Sequence, residues 1–288
     1  MVTPLVADGD GVYLKCDFLH PGRSHKARVA SALVDDAEAR GLAGKRLLER
    51  TGGNLGVALA IEAKARGYHL VLVVDPGYSA AKKNLARRYG ATVLDREVEF
   101  PQCRDNGEAV AALLAAEPDT YHYLNQFANV ANPQAHERVT GPEIAGQLAA
   151  GGVCSDATVV LVSGTGTGAT MRGVSTALRR HFATVVTLGV EPPHCDLLAG
   201  RYGEHPLHGI AVGQSAPFFP PQDLDGIVAV TPTELDEARQ LLLTRHCFDV
   251  GPTSVANYAA LRQARQRRPE CAKSIWVTLL FDRGEDYA

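Results

Sequence analysis

Short, almost uniformly apolar runs recur along this chain, and most are followed by a stretch with helical spacing. YHLVLVVDP (68–76), DATVVLVSG (156–164) and ATVVTLGVEP (183–192) carry apolar residues at successive positions rather than alternate ones. A strand that is apolar on both faces must be covered on both faces, which selects a parallel sheet flanked by helices. KRLLER (45–50), ATVLDRE (91–97), TYHYLNQF (120–127), GIVAVTPTE (226–234), KSIWVTLLFD (273–282) and GVYLKCDFL (11–19) are further strand candidates. Helical stretches sit between them: NLGVALAIEAKARG (54–67), SAAKKNLARRYG (79–90), NGEAVAALLAAEPD (106–119), GATMRGVSTALRRHF (168–182), TELDEARQLLLTRH (233–246) and VGPTSVANYAALRQARQRRPE (250–270). The fold class is therefore α/β. With 288 residues, 45% of them hydrophobic, the chain can bury one large domain or two lobes.

Charge and pattern exclude several functions. The formal net charge is −3 with no Lys/Arg block, so nucleic acid is not an expected partner. Apolar runs such as LVLVV (70–74) are far too short for a bilayer, and the opening MVTPLVADGDGV has no basic-then-apolar leader pattern. Six scattered cysteines (Cys16, Cys103, Cys154, Cys195, Cys247, Cys271) form no CxxC pair, which predicts free buried thiols in a reducing cytoplasm and no metal site.

Three glycine-rich segments open helices. TGGNLG (51–56) lies between a strand and a helix, where backbone N–H groups favour a carboxylate or phosphate; a tight turn capped by Asn54 is the alternative. SGTGTGAT (163–170) has three alternating glycines where a packing turn needs one, which points to close approach of an anion. It lacks the GK[ST] of a Walker loop. It contains a G-x-G-x-x-A spacing (Gly164, Gly166, Ala169), and Glu191 ends the next strand, so a dinucleotide-binding enzyme is a rival reading. VGPTSVANYAAL (250–261) reads as a helix start capped by Thr253 or Ser254.

Lys26 stands in HPGRSHKAR (20–28), just after the first long strand candidate. Taken in order, Thr3-Pro4-Leu5, HPGRSHKAR, TGGNLG, NQFANVANPQAHERVTGPEI, GTGAT and FDRGEDY resemble the cysteine synthase group of pyridoxal-phosphate enzymes (fold type II, the tryptophan synthase β superfamily), from residue 3 to residue 287. The resemblance implies two lobes, each a mostly parallel twisted sheet covered by helices, with the cofactor in the cleft between them. The larger cofactor-binding lobe would take 1–24 and 138–288, and the smaller mobile substrate lobe 25–137.

The resemblance also implies roles. Lys26 would form the internal imine with the aldehyde of pyridoxal 5′-phosphate and later act as base at the substrate α-carbon. His25 matches a residue that helps hold the phosphate in tryptophan synthase β, with a solvent-facing helix-start histidine as the alternative. Gly166, Thr167, Gly168, Ala169 and Thr170 would cradle the phosphate, Ala169 replacing a glycine at no cost if its φ is negative. Asn54 would sit beside the cofactor's phenolic oxygen. Thr51, Gly52, Gly53, Leu55 and Gln126 would bind the substrate carboxylate. The expected reaction is β-replacement on an activated serine-type amino acid by a small nucleophile, in a cytoplasmic homodimer. β-Elimination or dehydration of serine or threonine and a non-catalytic relative are the alternatives.

Three departures qualify this reading. Gly52 replaces a serine, which removes a donor and is expected to open space near the α-carbon. Arg23 replaces a glycine, and either reaches an acidic partner or faces solvent. In FDRGEDY, Asp282 or Arg283 stands where relatives place a neutral residue against the pyridine nitrogen; Asp282 is the favoured contact, with Thr253 or Ser254 as alternatives. Gly52 and the tail tilt the reading toward a specialised, non-proteinogenic product.

Overall fold

The computed structural model describes residues 1–9, 11–42, 44–207, 209–213, 215–268 and 273–287. It divides into two compact units: Met1–His20 with Pro133–Glu285, and Pro21–Asn132 with Asp286 and Tyr287. The chain opens in the larger unit with β1 (Leu5–Ala7) and β2 (Val12–Cys16). In the smaller unit follow α1 (Lys26–Ala39), β3 (Arg46–Arg50), α2 (Asn54–Arg66), β4 (Leu70–Val74), α3 (Ala80–Arg88), β5 (Thr92–Asp95), α4 (Arg96–Glu99), α5 (Asn106–Ala116) and β6 (Tyr121–Tyr123). The remainder carries α6 (Ala131–Ala135), a π-helical turn (His136–Thr140), α7 (Gly141–Ala150), β7 (Thr158–Ser163), α8 (Ala169–Leu178), β8 (Thr184–Glu191), β9 (Gly226–Ala229), α9 (Pro232–His246), α10 (Pro252–Arg267) and β10 (Ile275–Leu280).

The larger unit's sheet runs β1-β2-β10-β7-β8-β9 and the smaller unit's runs β5-β4-β3-β6. Every pairing is parallel except β1 with β2. The doubly apolar strands occupy inner positions. β4 is buried along its whole length, and β10, between β2 and β7, contributes Trp276, fully buried like Tyr258 of α10. Truncating Trp276 to alanine would cost about 3–5 kcal/mol.

The antiparallel β1 and the helical run 131–150 are not marked by the apolar rhythm. Polar anchoring explains the first. Lys15 is fully buried, and its Nζ donates to Thr3 O (2.7 Å), Glu143 Oε2 (2.8 Å) and Gln147 Oε1 (2.9 Å). Thr3 Oγ1 in turn donates to Asp17 Oδ1 at 2.6 Å. The Thr-Pro-Leu segment is thus a structural anchor, and removing Glu143 would take a carboxylate from a buried ammonium at a cost of about 3 kcal/mol.

Helix ends explain two more differences. Thr231 forms a reciprocal capping box with Glu234 at the start of α9. At α10 the N-cap is Gly251, so neither Thr253 nor Ser254 caps that helix. The thiols also differ from expectation: Cys16 and Cys103 are buried, but Cys154 and Cys247 are exposed and Cys195 is half-buried, all five free. Cys271 lies outside the described residues.

Candidate active site

In the smaller unit, Lys26 is the first residue of α1, with Ser24 supplying the turn before it: Ala27 N–H donates to Ser24 O (3.1 Å) and Lys26 N–H to Ser24 Oγ (3.3 Å). Desolvation by burial pulls the Lys26 amine down to about 8, against the opposing charge of Glu49. An amine held there has a usable neutral fraction near neutral pH, which is what attack on an aldehyde requires. His25, the N-cap, is 6% exposed and is not the solvent-facing histidine of the alternative reading.

Glu49, the penultimate residue of β3, is fully buried. Its oxygens accept Arg50 N–H (2.9 Å) and Gln126 N–H (3.1 Å). Burial pushes its carboxyl up to about 7, although those two N–H donors and the charges of Arg50 and Lys26 pull the other way. The carboxylate therefore ties the end of β3, where residues 51–55 begin, to the segment bearing Gln126. Gln126 Nε2 donates to Arg50 O (3.4 Å), and its own carbonyl accepts from Asn132 Nδ2 (2.8 Å). Asn129 braces the same segment through Asp36 (2.7 Å) and Leu124 O (3.2 Å). The asparagines of NQFANVANP serve as scaffolding for Gln126.

Residues 51–55 turn from β3 into α2. Gly53 is the N-cap and Asn54 the first helical residue, so Asn54 is not the cap; its Oδ1 accepts from Lys82 Nζ at 2.8 Å. Gly52 does not open space. A Cβ there would meet Tyr78 Cγ at 2.6 Å and Cβ at 2.7 Å, so the aromatic ring fills the position that a side chain would take. Burial, with the charge of Asp75, raises the Tyr78 phenol above its ordinary value. Arg23 is half-buried and paired within the chain. It adopts φ 68° and forks onto Asp286 (Nε to Oδ1, 3.1 Å). Tyr287 adds its ring beneath Lys82 Nζ, 3.7 Å from the centroid.

In the larger unit, residues 163–170 lead from β7 into α8. All three alternating glycines have packing reasons. A Cβ on Gly164 would meet Ile210 at 2.7 Å, one on Gly166 the carbonyl oxygen of Gly209, and one on Gly168 the backbone nitrogen of Phe219 at 2.6 Å. Residues on both of these neighbouring stretches are also hydrogen-bonded to this turn: Ala211 N–H donates to Thr165 O (3.1 Å) and Phe218 N–H to Thr167 O (3.0 Å). The premise that a packing turn needs one glycine fails here, because residues of those stretches lie against all three glycines. Those bonds engage the carbonyl side. Gly168, at φ 79°, is the N-cap of α8, and Ala169 begins the helix without a positive φ, so its methyl is tolerated. A helix N-terminus with small residues and Thr167 and Thr170 fits a phosphate group.

The tail residues fall into place within the same unit. Asp282 is fully buried, and Ser254 Oγ donates to its Oδ1 at 3.4 Å while accepting Phe281 N–H at 2.8 Å. Asp282 and Ser254 are thus hydrogen-bonded to each other. Arg283 is engaged elsewhere, its Nε donating to Phe18 O at 3.1 Å. Glu191 accepts Leu197 N–H at 2.7 Å and serves to fold the following loop.

Glu49, Tyr78, Lys82 and His136 were not among the residues singled out from sequence. The signal for Glu49 was a charged residue in the middle of an apolar strand run. For Tyr78 and Lys82, and for the Thr170 contact of His136, the partners are distant in the chain.

The chain belongs to the family of pyridoxal-phosphate dependent enzymes, which matches residues 2–282. It is a pyridoxal-phosphate enzyme of the cysteine synthase-like kind, and the dinucleotide reading falls with that. A probable cysteine synthase of Bacillus subtilis is 33% identical over 282 residues, spanning 96% of this chain and 88% of its own length. A cysteine synthase of Staphylococcus aureus is 31% identical, spanning 96% and 87%. Among solved structures, an O-ureido-L-serine synthase matches with a TM-score of 0.85 at 30% identity over 99% of this chain and 90% of that one. An O-acetylserine dependent cystathionine β-synthase from Helicobacter pylori matches at 0.85 and 28%, covering 99% and 94%.

Proposed function

We propose that this enzyme performs β-replacement on a serine activated at its oxygen, with Lys26 as the residue that attaches the cofactor and moves the α-proton. The observation that carries the reading is the Lys26 amine, desolvated at the start of α1 in a chain of this family. Bound pyridoxal phosphate supplies the electron sink that makes the α-proton removable. The larger unit is the cofactor-binding one: Gly166, Thr167, Gly168, Ala169 and Thr170 hold the phosphate at the positive end of α8. Asp282, with Ser254 donating to it, holds a proton on the ring nitrogen. His25 supports the phosphate, and Asn54, oriented by Lys82, contacts the phenolic oxygen. The smaller unit handles substrate: Thr51, Gly52, Gly53, Leu55 and Gln126 take the α-carboxylate at the start of α2.

The relatives named for O-ureidoserine and O-acetylserine chemistry support an O-activated serine as the first substrate and a small nucleophile as the second. Tyr78 on Gly52 favours a specialised replacement over housekeeping cysteine synthesis, because that loop differs from the serine-bearing pattern. Exposed free Cys154 and Cys247 suit a reducing cytoplasm. The homodimer rests on the family resemblance.

Borohydride reduction and peptide mapping test the assignment. The yellow protein is expected to bleach and carry its label on Lys26; a label on another lysine overturns it. Supplying O-acetylserine with sulfide, cyanide, ammonia or amino-acid amines then identifies the nucleophile. Pyruvate release without any nucleophile would favour elimination instead.

A further inference from the structure

His136 lies in the π-helical turn and is fully buried. Both of its ring nitrogens are paired with threonine hydroxyls: Nδ1 with Thr140 Oγ1 at 3.0 Å and Nε2 with Thr170 Oγ1 at 3.2 Å. Thr140 is fully buried, and Thr170 is 7% exposed in the first turn of α8. The approach is made possible by Gly173, one helical turn after Thr170, where a Cβ would meet His136 Cβ at 2.6 Å. A glycine thus lets α8 press against the π turn so that the imidazole reaches Thr170.

A neutral imidazole has one N–H and one lone pair, so this three-member relay has a direction. In one direction Thr140 O–H donates to Nδ1, Nε2–H donates to Thr170 Oγ1, and the Thr170 proton is left to donate outward. In the other direction Thr170 donates to Nε2 and offers an approaching anion only lone pairs. The proton of Thr140 would then turn to a backbone carbonyl, so the relay by itself allows both directions. An anion at the start of α8 selects the first direction, and each donor in that direction polarises the next.

We propose that His136 is held as the Nε2–H tautomer and is a positioning residue for the cofactor phosphate, turning the Thr170 hydroxyl so that its proton points at the anion. The proposal rests on the reading of residues 166–170 as the phosphate cradle.

The test uses the holoenzyme. Side-chain ¹⁵N spectra are expected to show the His136 proton on Nε2; a proton on Nδ1 overturns the proposal. Two variants separate positioning from packing. His136→Met removes the donor and is expected to weaken pyridoxal phosphate roughly tenfold, the loss expected for one buried hydrogen bond, with little change toward pyridoxal, which lacks the phosphate. His136→Gln keeps an N–H near the Nε2 position and is expected to recover most of the affinity and the wild-type ³¹P shift. Equal losses toward both compounds, or no loss toward either, would overturn it. If His136→Met does not fold, His136→Gln and the wild-type spectra still decide. A wild-type chain that takes up no pyridoxal phosphate would sink the functional reading alone, and the same ¹⁵N spectrum with inorganic phosphate then judges the relay.

Discussion

Residues 51–56 and residues 163–170 look alike in sequence: each is a Gly/Thr-rich turn from a parallel strand into a helix. They are built differently. The second turn is clamped by neutral groups. Gly164 N–H donates to Asn257 Oδ1 (2.8 Å), Asn257 Nδ2 donates to Leu279 O (2.9 Å), and Ile210, Gly209 and Phe219 lie against the three glycines. The first turn is framed by charge, with buried Glu49 before it and Lys82 on its first helical residue. Only Gly52 of its first two glycines is abutted, and by a side chain rather than backbone; nothing lies within 4 Å of a Cβ on Gly53. A glycine-rich turn can therefore record a packed neighbour, an aromatic lid or simple openness, and only the partner tells which.

Substitutions sharpen that contrast. The largest effect is expected from Gly166→Val, whose side chain must displace the Gly209 carbonyl. Stability should fall by about 3 kcal/mol or more, with loss of cofactor on dialysis. Urea denaturation and absorbance of the retained cofactor check this, and a wild-type result would mean that the Gly209 carbonyl yields freely.

Next comes pH, which should act on the first turn alone. The Glu49 carboxyl is raised to about 7 in the fold, so between its ordinary value near 4.5 and 7 the native state holds a proton that the unfolded chain has lost. Stability contributed by that proton is complete below 4.5 and disappears as pH rises through 7, an effect on the order of 3 kcal/mol. Lys26, lowered to about 8, acts on the alkaline side: stability falls as pH drops from 10.5 through 8. In the cofactor-free chain, Glu49→Gln should flatten the urea midpoint across pH 4.5–7. An unchanged slope would remove Glu49 from the comparison.

Gly52→Ser should cost about 1–2 kcal/mol by overpacking against Tyr78. The double variant with Tyr78→Ala should recover stability, so the two losses will not add. Simple additivity in thermal melts would show that the ring does not occupy the position of the missing side chain. Smallest of all, Gly53→Ala should change stability by no more than about 0.5 kcal/mol; a loss comparable to that at Gly52 would erase the difference between the two glycines.

The apolar rhythm made β4, β7, β8 and β10 legible, because strands buried on both faces announce themselves locally. The family was legible because motif order survives in a single chain. The rest depended on contacts between distant positions. Tyr78 meets Gly52 from the far side of α2 and β4, and Ile210, Gly209 and Phe219 meet the second turn from about 45 residues on. The Ser254 hydroxyl looked like a helix cap because helix starts favour it, but a buried carboxylate and a strand N–H compete for it more strongly. β1 was missed because a three-residue strand held by a buried lysine carries no periodic signal.

Asp286 and Tyr287 complete the smaller unit although 263 residues separate Asp286 from its partner Arg23. In kinetic terms this is a long loop closed late. On the ribosome, residues 21–132 emerge with Arg23, Lys82 and the start of α3 still waiting for their clasp, while residues 133–285 of the larger unit have yet to be made. Such high sequence separation slows the final step and leaves the half-finished unit exposed to alternative pairings. The contacts of Arg23 with Asp286 and of Lys82 with the Tyr287 ring are therefore made only by a chain translated through Tyr287.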